Sequence, residues 1–360
     1  MITADERPAS HDHPAIVVVG ASAGGVEALR DLVSHLPADL PASVLVVLHV
    51  PPDNPSALPA ILRRASALTV HEALDGMALR PGEVVVARPD HHLVVVDGRV
   101  LLTRGPRENG HRPAVDVLFR SAARARAARA MAVVLSGALD DGASGASAVA
   151  ALGGTVVVQD FEEALYDSMP RAAARAVGEH AVVEQASTAI IAERVASWAR
   201  TASRSTSPAA EQAVKGPTDP MDREVRMAEM DPYEMHDTDR PGTPSGFGCP
   251  DCAGALFQIP DGRLLRYRCR VGHAWSAESL LARQTTALEG ALWVALRNLE
   301  ERAALNTDLG DRADDRGHDK AATRFRENVD EAMGAAELVR QLITEIGTTM
   351  SGDSEPVPDA

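Results

Sequence analysis

Residues 15–36 have the sequence AIVVVGASAGGVEALRDLVSHL, which predicts a strand, a tight turn and a helix. Its β-branched start is typical of a buried parallel strand, and the residues from Val26 to Leu36 carry apolar side chains at helical spacing. The small residues between them predict a tight turn that holds Ser22 at the tip of the strand. A strand, a turn and a helix in this order are typical of an α/β protein with an open parallel sheet.

Two further strand-like runs end in residues that complement a nucleophilic serine. The run Ser43–Leu48 ends at His49, and the run Met131–Leu135 leads into a loop that contains Asp140 and Asp141. The carboxyl ends of neighbouring strands in a parallel sheet converge on one crevice. We therefore expect a serine, a histidine and an aspartate to meet there as a hydrolytic triad.

The same glycine-rich turn has a second interpretation as a phosphate-binding loop. In the dinucleotide fingerprint G-x-G-x-x-G, the second glycine lets the backbone approach a pyrophosphate, but Ser22 occupies that position here. The next strand ends in His49 rather than in an acid that would bind a ribose, and no Walker lysine follows the turn. A third interpretation is an ordinary turn serine and a buried histidine. Complementary residues at three predicted strand ends favour the triad over both alternatives.

Five motifs make residues 15–200 similar to the catalytic domain of the chemotaxis protein-glutamate methylesterases (CheB-type). They are GASAGG (20–25), LHVPP (48–52), HRPAVDVLFRSAA (111–123), LSGALDDGASG (135–145) and QDFEEALYDSMPRAA (159–173). The resemblance implies an α/β fold with a doubly wound, mostly parallel sheet in a three-layer arrangement. It also implies a serine esterase that hydrolyses glutamyl methyl esters on methyl-accepting chemoreceptor-type proteins. Deamidation of receptor glutamine is the expected companion activity, because an amide can use the same acyl-enzyme.

The resemblance also implies the role of each residue in the triad. Ser22 is the nucleophile, His49 the base and Asp141 the orienting acid, with the adjacent Asp140 left open as an alternative acid. Backbone N–H groups near Gly24 and Gly25, at the start of the helix, are the expected donors to the oxyanion. Such a triad needs no metal or organic cofactor for ester hydrolysis.

Several positions depart from the family pattern. Ala23 follows the nucleophile where threonine is common, Ala114 replaces a usual serine, and Ala138 and Leu139 replace a usual Met-Gly pair. These departures keep a different class of function open, a non-catalytic signalling scaffold with a relic site. Familiar members of the family carry an N-terminal receiver domain, whereas the first strand here begins at residue 15. We therefore expect no control by a receiver domain within this chain.

Composition disfavours two classes of partner. The polar N-terminus has no signal-like apolar core, and no apolar run in the 360 residues approaches the length of a membrane span. A formal net charge of −15 disfavours a nucleic acid held through its phosphates. The sequence therefore predicts a cytoplasmic protein without membrane insertion.

All three cysteines lie within a short segment of the chain. Cys249 and Cys252 form a C-x₂-C knuckle, and Cys269 with His273 forms a C-x₃-H knuckle. Two such knuckles joined by a hairpin-like segment predict a structural zinc site, because four protein ligands leave no open position for water. Three inert thiols in a reducing compartment are the alternative.

These patterns predict six segments along the chain. They are a disordered N-terminus (1–14), a methylesterase-like domain (15–200), a linker (201–246) that separates two cores, a zinc ribbon (247–276), a helical hairpin (277–348) and a disordered tail (349–360). A polar loop at 308–317 divides the hairpin, and each helix has an apolar stripe. The stripes are Leu281, Leu288, Leu292 and Leu299, then Ala322, Phe325, Val329, Ala332, Ala336, Val339, Ile343 and Ile346. They indicate either an ordinary core or a face for dimerisation or partner docking.

Overall fold

The computed structural model describes residues 14–53, 55–178, 183–204, 220–232, 234, 242–261 and 264–351. The predicted disordered N-terminus (except Pro14), much of the predicted linker and nearly all of the predicted tail lie outside these residues. The chain divides into two compact units, Met1–Leu280 and Leu281–Ala360. Within the described residues, no helix is long and apolar enough to cross a membrane.

A seven-stranded parallel sheet forms the centre of the first unit. The strands of the α/β part are β1 (Ala15–Ala21), β2 (Ala42–Leu48), β3 (Thr69–Glu72), β4 (Glu83–Val86), β5 (His92–Val96), β6 (Arg99–Thr103), β7 (Ala130–Val134), β8 (Thr155–Gln159) and β9 (Val183–Ala186). The sheet has the order β3-β4-β2-β1-β7-β8-β9, whereas β5 and β6 form a separate antiparallel hairpin. The strands predicted before Ser22, before His49 and before the acidic loop are thus the adjacent β1, β2 and β7.

Helices cover both faces of this sheet. They are α1 (Gly25–His35), α2 (Leu58–Ala65), α3 (Val115–Arg126), α4 (Ala143–Ala151), α5 (Ser168–Val177) and α6 (Thr188–Ala202). A further helix, α7 (Pro220–Ala228), packs on α3 instead of on the sheet. Helices α1, α2 and α6 pack on the face that contains Val17 and Val19, and α3, α4 and α5 pack on the face that contains Ile16 and Val18. Alternate residues of a strand point to opposite faces, so the central strand is buried on both sides. The predicted doubly wound, three-layer α/β fold is confirmed.

The turn after β1 requires glycine. Gly24 precedes α1 with φ of 71°, in the left-handed region that glycine adopts without strain. A Cβ atom at Gly24 would lie 2.7 Å from Ser136 Oγ and 2.9 Å from Leu165 Cβ. The small residues that the sequence places here therefore let the turn pass close to the neighbouring loops, and this fixes Ser22 at the sheet edge.

The cysteine-rich segment forms a four-stranded antiparallel ribbon within the first unit. Its strands are β10 (Thr243–Gly248), β11 (Ala255–Asp261), β12 (Leu264–Cys269) and β13 (Ala274–Ser276). The ribbon has a small apolar cluster of its own, and charged side chains of β12 are in addition buried against the α/β part. Arg266 and Arg268 of β12 both form ion pairs with Glu108.

The second unit, described by itself, contains two long helices. They are α8 (Ala277–Asp314), which belongs to this unit from Leu281 onward, and α9 (Asp319–Ser351). The two helices are antiparallel, as the ion pairs of Glu300 with Arg340 and of Asp314 with Arg326 show. Helix α8 continues to Asp314, so the predicted loop at 308–317 is too long by about two turns of helix.

The stripe of α9 is buried or half-buried, whereas the stripe of α8 is so only in its second half. Ala322, Ala332 and Ala336 of α9 are buried. Leu292 and Leu299 of α8 are half-buried, whereas Leu281 and Leu288 are exposed. The antiparallel pairing of the helices explains this difference. It places the start of α8 opposite positions that follow the end of α9, so these two leucines have no facing helix among the described residues.

Candidate active site and metal centre

The structure brings Ser22, His49 and Asp141 together at the carboxyl ends of β1, β2 and β7. Ser22 Oγ donates to His49 Nδ1 over 3.0 Å, and His49 Nε2 donates to Asp141 Oδ2 over 2.7 Å. Only 6% of the His49 side chain and 2% of the Asp141 side chain are exposed. Asp140, the alternative acid, points elsewhere, and its Oδ1 accepts hydrogen bonds from Ser276 Oγ and Ser279 Oγ. The geometry favours Asp141 as the acid.

Backbone contacts hold Ser22 in place. Its N–H donates to the Ser136 carbonyl over 3.0 Å, and its own carbonyl accepts from Gly25 N–H over 3.0 Å. Gly25 N–H, one of the two expected oxyanion donors, is therefore engaged inside the turn. Gly137 passes so close that a Cβ atom there would lie 3.0 Å from Ser22 Cβ and 2.0 Å from Met169 Sδ. This close approach leaves the serine hydroxyl facing His49.

The Asp141 carboxylate lies at the start of α3 and accepts several hydrogen bonds. Val115 N–H donates to Oδ2 over 2.7 Å, Asp116 N–H donates to Oδ1 over 3.2 Å, and Asn109 Nδ2 donates to Oδ1 over 3.1 Å. Burial by itself raises the pKa of Asp141, but the hydrogen bond to His49, the charge of His49 and these donors lower it well below its ordinary value. A carboxylate that stays ionised can stabilise an imidazolium at His49.

A second imidazole lies flat against the first. The rings of His49 and His111 stack with their centroids 3.6 Å apart and their planes 5° from parallel. Burial lowers the pKa of His111 to about 4, and the charge of His49 contributes to this shift. His111 is therefore a neutral ring near pH 7 and supports the orientation of His49 without adding charge.

A second carboxyl group lies beneath the triad. Asp116 Oδ1 accepts from Gly145 N–H over 2.7 Å and from Gly142 N–H over 3.1 Å. Burial and the charge of Asp141 raise the pKa of Asp116 well above its ordinary value. Asp116 thus braces the loop that carries Asp141.

Sequence reasoning missed His111, Asp116 and Asn109 as parts of the site. All three lie in residues 108–116, ENGHRPAVD, which overlap one of the five motifs. A polar motif just before a predicted helix was the available signal, but its contacts depend on the packing of distant segments. This segment contacts the triad acid through the side chain of Asn109 and the backbone N–H of Asp116.

One departure from the family pattern has a structural consequence. Leu139, which replaces the usual glycine, adopts φ of 62°. The left-handed region costs a residue with a Cβ atom about 1–2 kcal/mol relative to glycine. The loop before Asp141 therefore carries local backbone strain that glycine would remove.

The predicted metal ligands converge in the ribbon. The ligand atoms of Cys249, Cys252, Cys269 and His273 all lie within 4.8 Å of one another. Cys252 Sγ is 3.7 Å from Cys269 Sγ, and His273 Nδ1 is 3.6 Å from Cys269 Sγ and 3.8 Å from Cys249 Sγ. These separations are far above a disulfide length of about 2.05 Å, and they match the edges of a tetrahedron around zinc, about 3.5–3.8 Å.

A buried polar atom beside the cysteines also fits a metal-bound thiolate. Trp275 is 1% exposed, and its Nε1 has no hydrogen-bond partner among the described residues. This indole lies in the same buried cluster as Cys249, and burial raises the pKa of the Cys249 thiol. An N–H group directed at a ligand sulfur is typical of the shell around a structural metal site.

Comparisons with known proteins agree with the geometry of the α/β part. Residues 17–194 match the family model described as CheB methylesterase. A relative from Myxococcus xanthus, "Protein-glutamate methylesterase/protein-glutamine glutaminase 5", is 44% identical over 161 residues, which are 44% of this chain and 46% of the relative. A relative from Methanosarcina mazei, "Protein-glutamate methylesterase/protein-glutamine glutaminase 2", is 39% identical over 163 residues, or 43% and 44% of the two chains.

A solved structure is similar to the same part of the chain. The crystal structure of the Thermotoga maritima CheB methylesterase catalytic domain is 34% identical and covers 51% of this chain and 98% of its own, with a TM-score of 0.48. The matched segment spans less than half the length of the two curated relatives. The resemblance expected from the five motifs is confirmed, since residues 17–194 match the CheB methylesterase family model.

Proposed function

We propose that this protein hydrolyses glutamyl methyl esters on chemoreceptor-type proteins, and that it deamidates receptor glutamine at the same site. The continuous hydrogen-bonded chain from Ser22 through His49 to Asp141 carries the proposal. The names of the relatives support the substrate class. Among the described residues, the hydrogen-bonding geometry of the triad supports an active site rather than a relic one.

The geometry supports a two-step mechanism. His49 Nδ1 takes the proton of Ser22 as Oγ attacks the ester carbonyl, and it then gives that proton to the departing methoxide, which leaves as methanol. Water, activated by His49, attacks the acyl-enzyme, so the Ser22 oxygen leaves and a glutamate carboxylate forms. For a glutamine substrate the leaving group is ammonia. Asp141 holds the imidazole with its proton on Nε2 and stabilises the imidazolium.

The start of α1 supplies the proposed oxyanion donor. Gly24 N–H lies at the positive end of the helix dipole, two residues after Ser22. Gly25 N–H donates to the Ser22 carbonyl, so we assign the role to the N–H groups of Ala23 and Gly24. Such donors are typically worth about 10²–10³ in turnover.

The surface beside Ser22 suits a protein substrate. Leu165 is 74% exposed and Tyr166 is 48% exposed. The Leu165 side chain borders Gly24, and the Tyr166 carbonyl accepts from Gly137 N–H over 2.9 Å. Exposed apolar side chains at the rim of a polar site are typical of a surface that binds another protein.

We further propose that Cys249, Cys252, Cys269 and His273 hold one structural Zn²⁺. The separations of their ligand atoms support it, as does the buried indole of Trp275. The metal would supply folding energy to a small ribbon and would take no part in ester hydrolysis. Metal analysis of the purified protein distinguishes this proposal from three inert thiols, because zinc gives about one ion per chain.

Location and assembly follow from the same features. Three free cysteines suit a reducing compartment, and we propose a cytoplasmic location. In the second unit, Trp293 and Val294 of α8 and Leu338 and Leu342 of α9 are exposed. We propose that these helices offer a face for dimerisation or partner docking, which sedimentation of the protein at several concentrations tests.

Release of methanol from methyl-labelled receptor membranes tests the proposed activity. The wild-type protein should release methanol, and membranes with glutamine at the methylation sites should release ammonia. Ser22→Ala should abolish both. Ser34→Ala, which removes an exposed hydroxyl on α1, is the matched control and should keep full activity. Equal release by wild type and Ser22→Ala would contradict the proposal.

A further inference from the structure

We propose that the ribbon is a positioning element of the active site, and that Asn109 is the residue through which it orients the triad acid. The inference rests on the proposed function and concerns the regulation of the same site. It assigns a positioning role to a module that the family model, which ends at residue 194, does not include.

One side-chain amide joins the ribbon to the triad. Asn109 Oδ1 accepts from the backbone N–H of Ser276 over 2.8 Å. On its other side, Nδ2 donates to Asp141 Oδ1 over 3.1 Å and to Asp116 Oδ2 over 3.2 Å. Asn109 is 5% exposed, so water cannot readily replace these partners. The Ser276 N–H therefore selects which way the amide points, and this choice keeps Nδ2 directed at Asp141.

The backbone around Asn109 is also attached to the ribbon. Asn109 N–H donates to the Ala274 carbonyl over 2.8 Å, and Ala274 N–H donates to the Arg107 carbonyl over 3.2 Å. The loop thus pairs with the free edge of β13. The same loop carries His111, which stacks on His49. Two of the three triad residues are therefore supported by a loop that the ribbon holds.

The ribbon also contacts the residue next to the triad acid. Asp140 Oδ1 accepts from Ser276 Oγ over 2.7 Å and from Ser279 Oγ over 2.9 Å. These bonds attach the loop that carries Asp141 to the end of β13 and the first turn of α8. The carboxylate is thus held between α3 and the end of the ribbon.

A buried charge cluster links these contacts to the metal ligands. Glu108, 1% exposed, forms ion pairs with Arg120 of α3 and with Arg268 of β12, the latter over 3.1 Å. Arg268 also donates to the Gly272 carbonyl over 2.6 Å, inside the second cysteine-histidine knuckle. Removing the partner of a buried charge is costly, so the cluster favours a single position of the ribbon. An ordered knuckle therefore holds Arg268 and Glu108 in place, and with them the neighbouring Asn109.

A pair of substitutions at residue 276 isolates the contact. Ser276→Ala removes the hydroxyl and keeps the N–H, whereas Ser276→Pro removes both. Ser276 is the last residue of the edge strand β13, and its N–H donates to Asn109 Oδ1, so proline there removes no ladder hydrogen bond. We expect Ser276→Pro to have a kcat about tenfold below that of Ser276→Ala, because a donor to a charged acceptor becomes disordered. KM should change little, because Asn109 reaches the substrate only through Asp141.

Removal of the metal tests whether the ribbon affects the triad through Asn109. The full-length protein is stripped with a chelator and reconstituted with Zn²⁺ alone, both for wild type and for Asn109→Ala. We expect stripping to lower kcat of wild type about tenfold, with recovery on adding Zn²⁺, and to lower kcat of Asn109→Ala by less than about threefold. Equal losses in both proteins, or no loss in wild type after verified metal release, would overturn the inference.

A signal that needs no substrate separates this inference from the proposed function. The proton between His49 Nε2 and Asp141 gives a downfield NMR resonance that reports the triad directly. It should broaden or shift in Ser276→Pro and in the stripped protein, and it should remain in Ser276→Ala. If wild type releases no methanol, the proposed function fails, and this resonance still decides the inference. If either the proline variant or the stripped protein does not fold, the other one decides.

Discussion

The α/β part and the ribbon bury different kinds of side chain. The parallel sheet has a continuous apolar core on each of its two faces. The ribbon buries a few large residues, among them Leu256, Tyr267 and Trp275, beside two of its cysteines. Apolar burial on this scale stabilises the sheet without further help, whereas so small a core needs a metal or covalent staples. Apolar burial therefore positions the strands that carry the triad, whereas the ribbon, in our proposal, needs its metal to keep its contacts with the loop that carries Asp141.

The largest expected effect lies wholly in the α/β part. Ser22→Ala and His49→Ala should each lower turnover by about 10⁴-fold or more, and the double variant should lose no more than either single one, because triad members act as a unit. Methanol release measures this, with circular dichroism to check the fold. Additive losses would mean that the two side chains act separately, and they would contradict the assignment of Ser22 and His49 to one triad.

The two acids of the loop should differ strongly. Asp141→Asn should lower turnover by about 10⁴-fold, because an amide in place of the carboxylate favours the wrong tautomer of His49. Asp140→Asn, the matched change one residue away, should cost far less, because its oxygen can still accept from Ser276. Comparing kcat of the two variants decides the point. A larger loss in Asp140→Asn would shift the triad acid by one position.

Metal removal should unfold the ribbon and leave the α/β part folded. Chelation, or acid that protonates the thiolates, should unfold the ribbon and leave the parallel sheet folded, because only the ribbon depends on the metal. Hydrogen exchange measures this by region, and exchange should rise in residues 243–276 while β1 and β2 stay protected. Cys252→Ser should give the same pattern without a chelator. Simultaneous loss of protection in both regions would contradict the comparison.

The stability of the α/β part should fall in mild acid through a buried histidine. The pKa of His111 is lowered to about 4 by burial and by the charge of His49, whereas an unfolded histidine titrates near about 6.5. Between these values the unfolded chain binds more protons, so stability is lost as the pH falls from about 6.5 to about 4. The loss should reach about 3 kcal/mol at most. His111→Phe, which keeps the stacking, should flatten the pH dependence of urea denaturation in this range, and an unchanged slope would contradict the assignment.

The smallest expected effect concerns the strained turn before Asp141. Leu139→Gly should stabilise the protein by about 0.5–1 kcal/mol, since relief of positive φ outweighs the extra chain entropy of glycine. Ala150→Gly within α4 is the control and should destabilise by about 1 kcal/mol. Urea denaturation of both variants gives the comparison. Destabilisation by Leu139→Gly would mean that the leucine side chain, and not the backbone, decides this position.

The sequence predicts those parts of the site that follow from local pattern. Ser22 and His49 each follow a run of apolar residues, so the ends of β1 and β2 and their meeting point could be predicted from strand pattern and the parallel-sheet rule. The cysteine-histidine spacing predicts the ligand cluster for the same reason, because it depends on two short segments.

Contacts between distant segments could not be predicted in this way. Asn109 and Ser276 are 167 positions apart, and Glu108 and Arg268 are 160 positions apart. Pattern alone does not show that a charged strand face of the ribbon is buried, since arginine is usually exposed. The prediction of a linker between two cores therefore did not include the buried ion pairs between β12 and Glu108. The register of α8 against α9 likewise depends on ion pairs such as Glu300 with Arg340.

Covalent labelling tests whether Ser22 is a nucleophile activated by His49. The full-length protein is treated with a phosphonate ester that reacts only with activated serines, and the adduct is located by mass spectrometry. We predict one adduct, on Ser22 of the wild-type protein, and almost none in His49→Ala, because the hydroxyl is activated by the imidazole 3.0 Å away. An adduct on Ser34 or Ser136 with Ser22 unmodified, or equal labelling of Ser22 in His49→Ala, would contradict the account.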